Sequence, residues 1–460
     1  RNENEMLQVY VLDPATGAEK LITGLEQMAE DGPGNDFGWS PDGRIWAVTD
    51  VADVPQLHFF DAKSGEDRLF GKDFRQRYCS SAVEWSPDGR YMSYTTDTND
   101  QYEGLTIYNL ETQTGFTVPW IGQQFPYWSP DGNYMLILDN YFTLDDPNTE
   151  AKTRLIRAED GSELLRRGTD VDAFNFAFSP DSRFFAYEKQ QTAWLYELAT
   201  GENINLEIPA DFLKWSPTGR YLLTGAGEAG FPYAVPQFSY DREAGHLTPI
   251  DLPSPATSVT WTSDENIILL YTNYQPVGDS IAPQSLITYD LASGKIQTIF
   301  EMETTGTIDL TYRQSSWYVV PDWHIIPYSI MTENAEETNS QILFVNVKTG
   351  VKVELLQNSL ELLAQSPDGH WLSLTTGDGV YLFDTLAGDL QGFPITGDPA
   401  KTYWSPDSHY LAFSQDEEQF ALWNTEKASL ETLPGVIIGW QYGREQNSLV
   451  CPGGYGDGNP

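Results

Sequence analysis

Short apolar runs built around one small residue recur along the chain: RIWAV (44–48), RYMSY (90–94), RFFAY (183–187), HWLSL (370–374) and HYLAF (409–413). Aromatic and aliphatic residues dominate them, and the fourth place holds Ala47, Ser93, Ala186, Ser373 or Ala412. Such runs predict strands, and a small residue at a fixed place lets a neighbouring sheet pack close. Each run follows SPDG or a variant of it. There Ser opens a type I turn, Pro has the φ its second position needs, and Gly tolerates positive φ after Asp. A second pattern is strand, turn ending in Gly, strand: YVLDPATGAEKLI around Gly17, HFFDAKSGEDRLF around Gly65 and IYNLETQTGFTV around Gly115. It returns at Gly161, Gly201, Gly245, Gly294, Gly350 and Gly388, with a weaker copy near Ser429.

The first pattern, WSPDGR in its fullest form, places its leading residue at Trp39, Trp85, Trp128, Phe178, Trp215, Trp261, Gln365, Trp404 and Trp440. The spacing is about 45 residues, except for one gap of about twice that, which predicts a hidden copy near residue 313 in TYRQSSWYVV. Two hairpins per period give four strands per repeat, the unit of a β-propeller blade.

WSPDGR, a strand and a D-x-x-T-G hairpin together resemble the TolB-type, WD40-like (PD40) β-propeller repeat family, along essentially the whole chain. The resemblance implies an all-β propeller of four-stranded antiparallel blades. The resemblance does not extend to the small α/β domain that precedes the propeller in TolB or to a hydrolase domain, so TolB's own partners are not expected to carry over.

The order of the two patterns predicts ten blade units. Residues 1–34 supply the outer strands of a closing blade, 35–434 supply nine blades, 435–452 supply the closing blade's inner strands, and 453–460 form a flexible tail. Pairing N-terminal outer strands with C-terminal inner strands removes exposed edges. Two smaller propellers are the alternative. Trp39, Trp85, Trp128, Trp215 and Trp404 recur at blade period and are read as structural packing residues. Of the two cysteines, Cys79 falls in a blade-to-blade connection and Cys451 at the end of an inner strand beside the closure, on the same expected face, which makes them candidates for a disulfide stapling the seam.

Acidic side chains outnumber basic ones 67 to 26, for a formal net charge of -41. Phosphate backbones and anionic membrane surfaces would be repelled, so nucleic acid is excluded as a partner. No apolar run approaches the length of a membrane span. The acidity fits a solubilising surface, salty surroundings, calcium or a basic protein partner. The opening RNENEM, with no initiator methionine, fits a processed, exported protein, periplasmic, cell-surface or secreted, of bacterial type.

The sequence contains no HExxH, GxSxG or Walker loop, and His58, His246, His324, His370 and His409 are scattered. One GxGxxG occurs at Gly225, Gly227 and Gly230, but Pro232 and Pro236 stand where a phosphate-binding helix would run, so it reads as a flexible loop. Irregularity concentrates between the second and third strands of a blade: 97–104, 139–152, 225–235, 272–284 and 321–340. These connections share one end of the blades and make the default binding surface.

Asp139, Asp145, Asp146, Asn148 and Glu150 crowd oxygen ligands into one connection, either a calcium site or a solvated acidic loop. Asp97, Asn99, Asp100 and Glu103 do so less densely. Tyr141, Phe142, Phe231, Tyr233, Tyr274, Trp323 and Tyr328 are candidate anchors for a partner, or aromatics folded against their own loops. The expectation is an exported, non-enzymatic propeller with no cofactor other than calcium. It would bind or scaffold a protein partner, as a subunit of a cell-surface or extracellular assembly. The competing class is a propeller enzyme or lectin acting on glycans with carboxylates at the channel mouth.

Overall fold

The structure, a computed structural model, describes residues 7–25, 37–40, 44–51, 54–61, 64, 66–72, 83–98, 101–119, 126–139, 152–167, 175–227, 234–252, 256–272, 275–277, 280–282, 285–301, 306–308, 322–331, 338–356, 362–376, 379–394, 402–414 and 419–434. Among these residues it is an all-β propeller protein with no helix. Nine four-stranded antiparallel sheets follow one another: blade 1 (37–72), blade 2 (84–118), blade 3 (127–167), blade 4 (176–209), blade 5 (212–249), blade 6 (256–301), blade 7 (306–356), blade 8 (362–394) and blade 9 (402–434).

The expected count of ten is corrected to nine. The N-terminal hairpin, Leu7–Asp13 with Ala18–Leu25, is a two-stranded sheet, and the inner strands expected in 435–452 lie outside the described residues. The chain divides into two compact units, one holding that hairpin and blades 1–3, the other blades 4–9.

The SPDG turn works through its serine. In blade 2, Gly89 N–H closes the turn on Ser86 O at 2.8 Å. Ser86 Oγ donates to Asp88 Oδ1 at 2.6 Å and accepts the Tyr91 N–H at 2.9 Å, so the turn is tied to the first residue of the following strand. Burial pushes the Asp88 carboxyl up, but hydrogen bonds from Ser86 and Arg90 outweigh it and hold it below the usual carboxylate range. The same serine bonds recur at Ser129, Ser179, Ser366 and Ser405.

The second turn has a similar logic. An Asp or Asn at its first place accepts backbone N–H groups two and three residues on, and the residue four places on takes positive φ. Gly17, Gly245, Gly294, Gly350 and Gly388 fill that place. Counting four from Asn109 gives Gln113, which has φ 59, so the hairpin read at Gly115 turns two residues earlier and Gly115 lies in the fourth strand opposite Tyr108. Counting four from Asn424 gives Ala428, φ 48, which explains the copy without glycine.

Between neighbouring blades the packing is close and largely apolar. Ser93, Ala186, Ser373 and Ala412 are all at most 1% exposed, so the small residues sit where sheets meet. The motif tryptophans reach across to the preceding blade: Trp128 stacks on Tyr91 at 6.1 Å, Trp85 meets Phe59 edge-on at 5.9 Å, and Trp215 and Trp404 donate to the carbonyls of Ala177 and Ala364. Each such ring removes roughly 200 Å² from water, worth about 5 kcal/mol before entropy. Polar ties join neighbours too, as where Arg242 pairs with Asp181 at 2.8 Å between blades 5 and 4.

Candidate functional site

The two ends of a blade differ. The end carrying the SPDG and D-x-x-T-G turns is stereotyped, whereas the other end, where the second strand passes to the third, is elaborated. Blade 6 inserts an extra hairpin there, Gln275–Val277 paired with Ser280–Ala282. Blade 7 joins two nine-residue strands, Trp323–Met331 and Thr338–Asn346, paired over their whole length. In blade 2, Tyr91–Thr98 and Gln101–Asn109 pair up to Thr98 opposite Gln101.

These pairings correct two expected connections. The stretch 97–104 is the end of a hairpin closed by two residues, and most of 321–340 is strand, leaving 332–337 as the connection. Blade 7's first strand is Gly306–Ile308 and its second Trp323–Met331, and the hidden copy expected near 313 lies outside the described residues.

The candidate residues fare differently. Trp323 is 6% exposed, donates from Nε1 to Thr385 O at 2.7 Å and meets Phe383 edge-on at 4.9 Å. It is a wedge between blades 7 and 8, which corrects its placement among partner anchors: the ring is spent on the core. Tyr328 lies in the same strand, opposite Gln341. Asp139 ends blade 3's second strand opposite Lys152. Asp145, Asp146, Asn148, Glu150, Tyr141, Phe142, Phe231, Tyr233, Tyr274, Cys79 and Cys451 lie outside the described residues. Among the described residues no group of three or more His, Cys, Asp or Glu side chains is placed to hold a metal ion. Gly225 and Gly227 are strand residues of blade 5, paired with Pro236 and Ala234, so the loop reading of that motif is corrected there.

The histidines stay apart from one another. His370 bonds Asp384 at 3.0 Å and stacks on Trp371, while His409 lies 3.3 Å from Asp407. His324 differs, being 1% exposed between blades 6 and 7, with Nε2 3.0 Å from Tyr271 Oη and Nδ1 without a partner among the described residues. No sequence feature marked it. Burial lowers its pKa from 6.5 to about 3.

The folded chain therefore holds His324 neutral, whereas the unfolded chain protonates it below pH 6.5. This contribution to stability is complete above pH 6.5 and lost progressively as pH falls from there toward about 3. Chemical denaturation of the wild type and of His324→Phe is expected to show the wild type losing about 2 kcal/mol more between roughly pH 7.5 and pH 5. Parallel curves would refute the assignment.

The stereotyped end also holds a concavity. A groove of about 670 Å³ lies between blades 2 and 3. Tyr91 and Ile107, both buried, lie at its base, and the half-buried rings of Phe116 and Tyr134 wall it. Arg90 is pinned there: its guanidinium bonds Asp88 through Nε and donates from Nη2 to Asn133 Oδ1 at 2.6 Å. Arg157 is half-buried with its guanidinium 5.9 Å over the Tyr134 ring, and no described carboxylate lies within ion-pair distance of it. Asn109 Oδ1 is committed to the Glu111 and Thr112 N–H groups at 2.9 and 3.0 Å, which leaves its NH2 facing outward from the turn. Thr112 and Thr114 share a hydroxyl hydrogen bond of 2.8 Å, and exposed Glu159 stands on the rim. Sequence reasoning missed this groove because its lining comes from four separate stretches.

No protein-family model and no curated protein matches the chain. Among solved structures it is similar to the crystal structure of a eukaryotic initiation factor, with 14% identity, 83% of this chain and 92% of that chain covered, and a TM-score of 0.50. It is also similar to oligogalacturonate lyase from Vibrio parahaemolyticus, with 14% identity, 67% and 92% covered and a TM-score of 0.40. A third neighbour is TolB from Acinetobacter baumannii, with 12% identity, 68% and 79% covered and a TM-score of 0.30. At 14% identity the likeness to the initiation factor carries the β-propeller fold alone.

Proposed function

We propose that the protein is a non-enzymatic binding module of an extracytoplasmic assembly, taking a protein partner on the ends of its blades where second strands pass to third. The observation that carries this reading is the extra hairpin 275–282 of blade 6, inserted where a blade needs no more than a turn. The nine-residue strand pair of blade 7 supports it from the adjacent blade. Repeat folds commonly use a regular scaffold to present irregular connections to a partner. The net charge of -41 favours a partner with a basic face, with electrostatic steering that weakens as salt is added.

The test replaces residues 275–282 with a two-glycine link and compares quantitative capture of the same partner band, from the native source, by wild type and variant. At least a tenfold loss of capture with an unchanged melting temperature is expected, equal to about 1.4 kcal/mol of binding free energy. Equal capture by the variant would refute the docking end. Turnover of a glycan panel by the purified chain would refute the non-enzymatic part.

A further inference from the structure

The groove at the opposite, stereotyped end of blades 2 and 3 has a donor set of its own, and this inference stands apart from the docking end. Acidic side chains outnumber basic ones by 67 to 26. Against that surplus, the half-buried Arg157 forms no ion pair within 4 Å of a described carboxylate. Its field reaches the exposed Asp160 and helps lower that carboxyl's pKa, while its N–H groups remain available to a ligand. Its position over the Tyr134 ring fixes it without consuming its N–H donors.

Asn109 adds a second donor of settled orientation, because both hydrogen bonds to its amide oxygen come from its own turn. The Thr112 and Thr114 hydroxyls pair with each other and still leave one O–H to donate. Three kinds of donor around one concavity suit a ligand rich in oxygen acceptors that bears a negative charge. Glu159 at the rim accepts and does not donate, so the same ligand should carry hydroxyls. Phe116 and Tyr134 offer apolar surface to a ring, and about 670 Å³ falls in the range of small-molecule pockets.

We propose that this groove binds a hydroxyl-bearing anion of monosaccharide size, either a sugar acid or a sugar phosphate, with Arg157 and Asn109 on the anionic group and Glu159 on a hydroxyl. Arg90 acts as a positioning residue: its bonds to Asp88 and Asn133 hold the two blades' turns in register across the groove.

The test uses the whole chain and isothermal titration with glucuronate, glucose 6-phosphate, glucose and inorganic phosphate. Saturable binding of at least one of the two sugar anions is expected, and which of them binds identifies the source of the charge. Glucose and inorganic phosphate should each bind at least about tenfold more weakly, the worth of one lost charge-assisted contact or of the lost hydroxyl contacts. Arg157→Gln and Asn109→Ala should each weaken the sugar anion at least about tenfold. The melting temperature of Arg157→Gln should match the wild type, because that side chain ties no blade to another. Asn109→Ala also loses the acceptor of two turn N–H groups and should melt lower, so Arg157→Gln is the variant that separates binding from folding. No saturable binding of either sugar anion up to about 20 mM would overturn the proposal. So would glucose binding as tightly as the anions, or an Arg157→Gln variant that binds them as the wild type does.

Discussion

Trp323→Ala is expected to destabilise the chain by about 3–5 kcal/mol, read as a fall in the urea midpoint. Three effects add. The ring is 6% exposed and packs with Phe383, which itself stacks on Phe344 at 4.2 Å, so truncation opens a cavity in the cluster shared by blades 7 and 8. The Nε1–H bond of 2.7 Å to Thr385 O is lost inside that cluster, leaving a buried acceptor unpaired. Finally, the ring lies against Gly388, where a Cβ would come within 3.2 Å of it, so the turn of blade 8 is shaped around the indole.

The residue before it, Asp322, is held at φ 73 by Lys348 at 2.8 Å and by Ser263, so the backbone cannot easily follow the missing ring inward. Trp323→Phe keeps the aromatic contact and loses the N–H, and should cost about half as much. An unchanged midpoint in Trp323→Ala, together with lost capture of a partner, would restore the residue to the docking surface.

Trp323 also shows where sequence reading stops. The blade period was legible because each blade needs the same local chemistry: a serine that ties a turn to the next strand and a tryptophan that fills the gap to the preceding blade. Those requirements are local, and local requirements leave a pattern. Blade 7 lacks the turn motif, and its second strand contains Pro327, which pairs with Ile342 in the middle of the sheet. Proline inside a central strand is rare enough that the segment reads as a loop, and so its first aromatic reads as exposed. In blade 2 the polar run DTNDQYEG misleads in the opposite way, because a tight hairpin and a long loop use the same residue types. The groove left no pattern at all. Arg90, Asn109 and Arg157 each look like ordinary turn residues, and only the packing of blade 2 on blade 3 brings them to one concavity.

Gly225→Ala should cost at least about 3 kcal/mol, although the glycine is one of three that imitate a dinucleotide loop. Gly225 sits in blade 5's second strand, Tyr221–Gly227, immediately after a register shift at Thr224, and its carbonyl accepts the Asp211 N–H at 2.9 Å. A Cβ added there would collide with the Val235 carbonyl oxygen and lie 2.7 Å from Val235 C and 3.1 Å from Pro236 Cα. All three are backbone atoms of the third strand, so no rotamer change relieves the contact. The third strand would have to move away, and the pairs Ala226 with Val235 and Gly227 with Ala234 would go with it. Gly245→Ala in the same blade is the control: it has φ +62 and no atom within 4 Å of the new methyl, so only the left-handed backbone, about 1–2 kcal/mol, is at stake. Denaturation of both variants separates close strand approach from ordinary turn strain. Equal midpoints would mean that Gly225 is not the point where the strands touch, and nucleotide binding lost in Gly225→Ala alone would return the motif to the phosphate-binding class.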